Sequence, residues 1–178
     1  GRMKTGTPAR IDGRSVDFSK LDEQKGDPKP AKFSFDPSLP HVRNQKSCYI
    51  AHTHPGVHDV LRKNIKTSPM YNGTIHSIGP RYCPSIEDKI TTFADKERHQ
   101  LFLEPEGHDT VEYYLNGFSS SLSIEAQMEG MRKIPGFENV KVFRPGYAIE
   151  YDYFLPTQLY HTMETKIIEG LYFAGQVN

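Results

Sequence analysis

Apolar positions recur along this chain with two periods, one helical and one alternating. Behind Pro55, a residue suited to a first helical turn, Val57, Val60, Leu61 and Ile65 fall at helical spacing. Ser85, with Asp88 three residues on, makes a capping-box-like pair ahead of an apolar stripe of Ile86, Ile90 and Phe93. A third helix is predicted over residues 124–133, where Pro135-Gly136 stops it. Strands are predicted over 47–52, 100–104, 112–115, 140–143 and 148–153, with a turn over 68–72. Residues 1–14 read as a strand running into a loop. The closing run from Gly170 to Asn178 is nearly continuous in apolar residues, the pattern of a buried strand whose glycine tip meets a ligand or another backbone. Prolines at 28, 30, 37 and 40 make the stretch between extended and largely exposed, with Phe33 and Phe35 touching one side. Helices and strands alternate irregularly, so the fold class is α/β (mixed α+β) with an insertion.

Composition narrows the classes. No run approaches 18 apolar residues and the first residues lack a signal-peptide core, so a cytoplasmic setting is expected. Two cysteines, Cys48 and Cys83, do not make a disulfide framework. Twenty-two basic residues balance 22 acidic ones. Phosphate neutralisation supplies most nucleic-acid affinity, so any RNA surface must lie in a local patch or outside this stretch. Neither Gly-Arg-Met at the start nor Ala-Gly-Gln near the end resembles a natural domain boundary, and the ends look cut.

The segment from Gly79 to Ile90 (Gly-Pro-Arg-Tyr-Cys-Pro-Ser-Ile-Glu-Asp-Lys-Ile) is the most chemically loaded. Cys83 precedes a predicted helix start, and Arg81 lies two residues away; both influences favour a thiolate. The same helix start suits a dinucleotide phosphate, and an inert cysteine in a proline-bounded turn is the third reading. Cys48, inside a predicted strand, reads as a small core hydrophobe. His52, His54 and His58 read as solvated surface histidines, with no metal site expected. Glu104 and Glu106 are either acid–base groups or, more simply, a solvated turn. Near the end, Gly175 would let a flavin approach the backbone while Gln176 offers an amide. No Gly-rich dinucleotide or phosphate-loop fingerprint occurs.

Taken together, several segments resemble the glucose-inhibited division protein A family. They are Lys4-Thr-Gly-Thr-Pro-Ala-Arg-Ile-Asp-Gly-Arg14, Cys48-Tyr-Ile-Ala-His-Thr53, Ser68-Pro-Met-Tyr71, the Ile78–Ile90 motif, Phe102-Leu-Glu-Pro-Glu-Gly107, Arg144-Pro-Gly-Tyr-Ala-Ile-Glu-Tyr-Asp152 and Phe173-Ala-Gly-Gln176. The resemblance implies part of a glutathione-reductase-like FAD domain carrying an inserted NADH-linked α/β domain. Residues 1–14 would end the first FAD-domain segment, 15–80 would belong to the insertion, and 81–178 would complete it and return to the FAD domain. It further implies an enzyme using FAD, NADH and methylenetetrahydrofolate, with glycine or ammonium. Such an enzyme works with a GTPase partner, is a homodimer when full-length, and builds a carboxymethylaminomethyl-type group at C5 of the wobble uridine of tRNA. Gly79, Pro80, Arg81, Tyr82, Cys83, Pro84, Ser85, Ile86, Glu87, Asp88, Lys89, Ile90, Thr91, Thr92 and Phe93 would be its NAD-associated segment. Cys83 would be catalytic, and Gly175 and Gln176 would contact FAD.

Departures from the family pattern are His54 where Asn is common, Ala9 for a common Pro, and the absence of the N-terminal FAD fingerprint. An isolated stretch of this kind is expected to be inactive. The alternatives are the related folate- and FAD-dependent tRNA uracil methyltransferase and a non-catalytic RNA- or protein-binding module. The Gly79–Ile90 and Arg144–Asp152 motifs speak against the first, and the balanced charge against the second.

Overall fold

In the strand Gln100–Pro105 (β5), Leu101 and Leu103 are fully buried while Gln100 is exposed, the alternation of a sheet with one covered face. The computed structural model describes residues 1–41, 45–80, 82 and 84–175. In chain order the strands are Arg2–Gly6 (β1), Arg10–Asp12 (β2), Asp22–Gln24 (β3), Cys48–His52 (β4), β5, Glu112–Asn116 (β6), Val142–Arg144 (β7) and Ala148–Asp152 (β8). Six of them form an antiparallel sheet in the order β3-β4-β5-β6-β2-β7, and β1 pairs with β8 in a separate two-stranded ribbon. The helices are Pro55–Lys63 (α1), Ile86–Thr92 (α2) and Ile124–Met131 (α3).

Directly opposed residues in an antiparallel sheet share a face. The register pairs Tyr49 with Leu103, Leu103 with Leu115, Ala51 with Leu101 and Ile11 with Tyr113, so these side chains line one face. Val57 and Leu61 of α1, Ile86 and Ile90 of α2, and Ala126 and Met131 of α3 join the same buried cluster. Phe18 closes it, its ring 4.5 Å from Tyr49 and 5.4 Å from Tyr113. On the opposite face Ile50 stands across from Phe102, and the Arg10 guanidinium lies 4.4 Å over the Tyr114 ring and 2.7 Å from Glu106.

The predicted strands and the first three-turn helix pattern appear where the periodicity placed them, with ends displaced by one or two residues. Helix α1 stops at Lys63 and Ile65 opens a 3-10 turn, because the Asn64 N–H already turns back to Val60 and Leu61. Three expectations change. Phe93 leaves the apolar stripe: α2 ends at Thr92, so Phe93 is its C-cap and 43 % exposed. Residues 170–175 form no strand. Leu171 and Tyr172 are exposed, and among the described residues only an isolated bridge lies beside them: the Leu171 carbonyl accepts from Thr165 N–H at 2.8 Å, and Tyr172 sits opposite Glu164. Phe33 and Phe35 do not pack on one side of the loop; they are fully exposed, at 107 % and 105 %.

β2, within the first 14 residues, lies between β6 and the edge strand β7 of the six-stranded sheet. Among the described residues no helix is long and apolar enough to cross a membrane.

Candidate functional site

Helix α2 has seven residues, too few to be stable on propensity alone. Its position is set by side chains and by the backbone of the Ser119–Ser121 run. At its start the capping box is formed from both sides: Ser85 Oγ accepts from Asp88 N–H at 3.2 Å, and the Asp88 carboxylate accepts from Ser85 N–H at 3.1 Å. Ile86 N–H donates to the Ser119 carbonyl at 2.7 Å. Three of the four leading amides, those of Ser85, Ile86 and Asp88, are thus engaged within the protein, which leaves the loop before the helix, rather than the helix start itself, to meet a ligand.

Glu87 is the buried anchor. It is 0 % exposed, and its Oε1 accepts from Ser121 N–H at 2.7 Å and from Ser121 Oγ–H at 3.0 Å. Ser121 Oγ is in turn 2.6 Å from Ser68 Oγ, which accepts from Met70 N–H at 3.2 Å. The second carboxylate oxygen, Oε2, has no hydrogen-bond partner among the described residues. Burial pushes the Glu87 carboxyl above its usual range, although the Ser121 donors pull the other way. Beside it the Tyr71 hydroxyl donates to Asp88 Oδ1 at 2.6 Å, and burial together with that carboxylate raises the phenol. Lys89 Nζ donates to the Gly117 carbonyl at 2.8 Å.

The Ser68-Pro-Met-Tyr71 and Gly79–Ile90 motifs, separate in sequence, are therefore joined through Ser121 and Asp88. A second junction lies alongside. Ser120 N–H donates to the Thr7 carbonyl at 3.0 Å, and Tyr147 N–H donates to Thr7 Oγ1 at 2.9 Å. Gly146 sits so close that a Cβ there would lie 2.3 Å from the Thr7 oxygen and 2.7 Å from the Ser120 oxygen. Gln127, 1 % exposed, clamps Gly146 from the helix side, accepting its N–H at 2.8 Å and donating to its carbonyl at 2.9 Å. The Lys4–Arg14 and Arg144–Asp152 motifs meet here.

Of the sequence-predicted site residues, Ile86, Glu87 and Ile90 face the core, while Tyr82 is 76 % exposed. Gly79 has open space where a Cβ would stand, and so does Gly175, whose φ of +81° suits glycine. Arg81, Cys83 and Gln176 lie outside the described residues.

Other readings are corrected. Cys48 is half-buried rather than in the core: Tyr49 and Ala51 take the covered face, so alternation turns Cys48 to the other. Burial and then the Glu104 carboxylate push its thiol up, away from the thiolate. His58 is not a surface residue; it is 2 % exposed and 2.7 Å from Thr53 Oγ1, which also accepts from His99 N–H at 2.9 Å. His54 caps α1, accepting from Gly56 N–H at 3.2 Å, with Nε2 2.8 Å from the Lys133 carbonyl. Glu106 pairs with Arg10, and Glu104 accepts from Asn116 at 3.1 Å, so neither carboxylate stands alone in a solvated turn. Ser119, Ser120, Ser121 and Gln127 escaped the sequence reading, although three consecutive serines between Phe118 and Leu122 were a usable sign of buried polar contacts.

Comparison with known proteins fits this geometry. The chain is 65 % identical to the tRNA uridine 5-carboxymethylaminomethyl modification enzyme MnmG of Flavobacterium johnsoniae, over all of this chain and 29 % of that protein. It is 61 % identical to the MnmG of Porphyromonas gingivalis, over 99 % of this chain and 28 % of the relative. The crystal structure of Aquifex aeolicus GidA (form I) superposes with a TM-score of 0.89 at 55 % identity, covering all of this chain and 31 % of that one. The chain thus spans less than a third of the length of the relatives it matches. The family model of glucose inhibited division protein A matches residues 1–178, the whole set of motifs that converge on Thr7, Ser121 and Gly146, and the chain belongs to that family.

Proposed function

We propose that this chain is the part of an FAD- and NADH-dependent enzyme that presents the 79–93 segment to the reaction at C5 of the wobble uridine of tRNA. The full-length protein works in the cytoplasm with a GTPase partner, as a homodimer, and draws its one-carbon unit from methylenetetrahydrofolate. The reading is supported chiefly by family membership over all 178 residues, combined with relatives whose name states the uridine modification.

Local chemistry fits. Glu87, Ile86 and Ile90 anchor the helical part of the segment in the core, while Gly79 has open space at its Cβ position and Tyr82 is largely exposed. A dinucleotide lying on that side would meet the loop from Gly79 to Pro84, with Arg81 offering a cation and Cys83 a thiol in the roles the family implies. The space at Gly175 lets a flavin approach the backbone, and Gln176 would give it an amide. FAD supplies the redox chemistry when bound; this chain's residues position it, hold the dinucleotide and present the thiol.

The test uses the full-length protein. It should purify with flavin bound, and NADH should bleach that flavin under anaerobic conditions. Gln176→Ala should lower the flavin-to-protein ratio. A colourless protein that NADH leaves unchanged would overturn the assignment.

A further inference from the structure

The run from Gly117 to Ser121 has helix α2 on one side and Thr7, the residue after β1, on the other. Toward α2 it is joined at alternate residues. The Gly117 carbonyl accepts from Lys89 Nζ at 2.8 Å, the Ser119 carbonyl accepts from Ile86 N–H at 2.7 Å, and Ser121 donates both its N–H and its Oγ–H to Glu87. Ser120 turns the other way: its N–H donates to the Thr7 carbonyl at 3.0 Å, and the two residues form an antiparallel bridge. Successive residues of an extended chain offer their backbone groups to opposite edges in this manner. All three serines are buried. Thr7 leads straight out of β1, which is paired along its whole length with β8. Helix α2 and the β1–β8 ribbon therefore grip opposite edges of one five-residue run.

Glu87 is the member of this arrangement that stability alone does not call for. It is 0 % exposed, one of its carboxyl oxygens lacks a hydrogen-bond partner among the described residues, and the neighbouring Asp88 carries a second carboxylate. Burying a carboxyl costs free energy that hydrogen bonds to one of its oxygens return only in part. An apolar side chain of similar volume would fill the same space without that cost. What it would lack is direction: two donors converging on one oxygen fix α2 both along and about its axis. Departures from the cheapest packing of this kind concentrate where function needs a fixed geometry.

We infer that Glu87 is a positioning residue, whose grip on Ser121 sets where the 79–93 segment stands relative to the β1–β8 ribbon. This role rests on the proposed reading in which that segment meets NADH. A misplacement of about 1 Å is enough to cost about a hundredfold in rate.

The experiment uses full-length wild type, Glu87→Ala, Glu87→Gln and Ser121→Ala, well below their unfolding temperatures, and reads two quantities. One is the rate constant of anaerobic flavin bleaching at saturating NADH, in which a hydride passes from the nicotinamide to the flavin and NAD+ is left. The other, taken without NADH, is amide hydrogen exchange in peptides covering residues 79–93 and 2–9. Loss of folded protein lowers the amplitude of bleaching and leaves its rate constant alone. Expected in Glu87→Ala is a rate constant about ten- to a hundredfold lower, with faster exchange in both peptides. Ser121→Ala should show a smaller loss, and Glu87→Gln should recover most of the rate, because its amide oxygen still accepts from Ser121. A wild-type rate constant in Glu87→Ala would overturn the inference, as would a Glu87→Gln as slow as the alanine variant or faster exchange confined to 79–93. Should Glu87→Ala fail to accumulate, a wild-type rate constant in Ser121→Ala would overturn it instead. A wild-type flavin that NADH does not bleach would sink the underlying reading rather than the role of Glu87.

Discussion

Replacing Glu87 by alanine removes the acceptor of two hydrogen bonds from Ser121 and leaves a buried backbone N–H unpaired. An unsatisfied buried donor costs about 1–3 kcal/mol. The void left by a fully buried side chain adds to that, giving a total loss of about 3 kcal/mol. For a chain of this size that is a fall in Tm of about 6–12 °C. Glu87→Gln keeps an acceptor toward Ser121 and should lose far less.

The pH dependence has a definite sign. Burial raises the folded-state pKa above the ordinary 4.5. The neutral carboxyl's contribution is therefore fully present below that ordinary value and is lost as pH rises through the raised one. Thermal unfolding of wild type, Glu87→Ala and Glu87→Gln across that range should show the alanine variant's deficit shrinking toward alkaline pH. A deficit below about 1 kcal/mol at every pH, or one that grows with pH, would refute the reasoning.

Other perturbations probe neighbouring contacts. Ser85→Ala removes the N-cap of a seven-residue helix and should cost about 1 kcal/mol, read by urea titration; an unchanged midpoint would contradict the capping role. Gly146→Ala should destabilise by about 2 kcal/mol or more, because the new methyl would overlap the Thr7 and Ser120 oxygens, whereas Gly79→Ala should fall within about 0.5 kcal/mol of wild type. Similar Tm values for the two variants would show that the junction is looser than described. Burial lowers the pKa of both His58 and His99, so stability should fall as pH drops through and below their ordinary 6.5, and His99→Gln should flatten that slope.

Much of the fold was legible because strand alternation and helix capping are local. Ser85 and Asp88 announce α2 by themselves, and Leu101 with Leu103 announces a half-covered strand. The residues that escaped are set by partners distant in sequence. Nothing near His58 signals that Thr53 and His99 will enclose it, and Cys48 has the composition of a core residue while strand parity turns it outward. The apolar run from Gly170 has strand composition, but among the described residues it finds only an isolated antiparallel bridge, Tyr172 opposite Glu164, and a strand needs a longer paired neighbour. The candidate segment 79–93 was recognisable from its motif. Its support was not, since Glu87 reads as a surface helix residue until Ser121, 34 positions away, is placed against it.

The account turns on the thiol of the 79–93 segment acting in uridine chemistry. The direct measurement is mass spectrometry of nucleosides from tRNA of cells whose only copy of the full-length protein carries Cys83→Ser. The account predicts that the modified wobble uridine disappears while the variant accumulates and keeps its flavin. Wild-type levels of that nucleoside would contradict it.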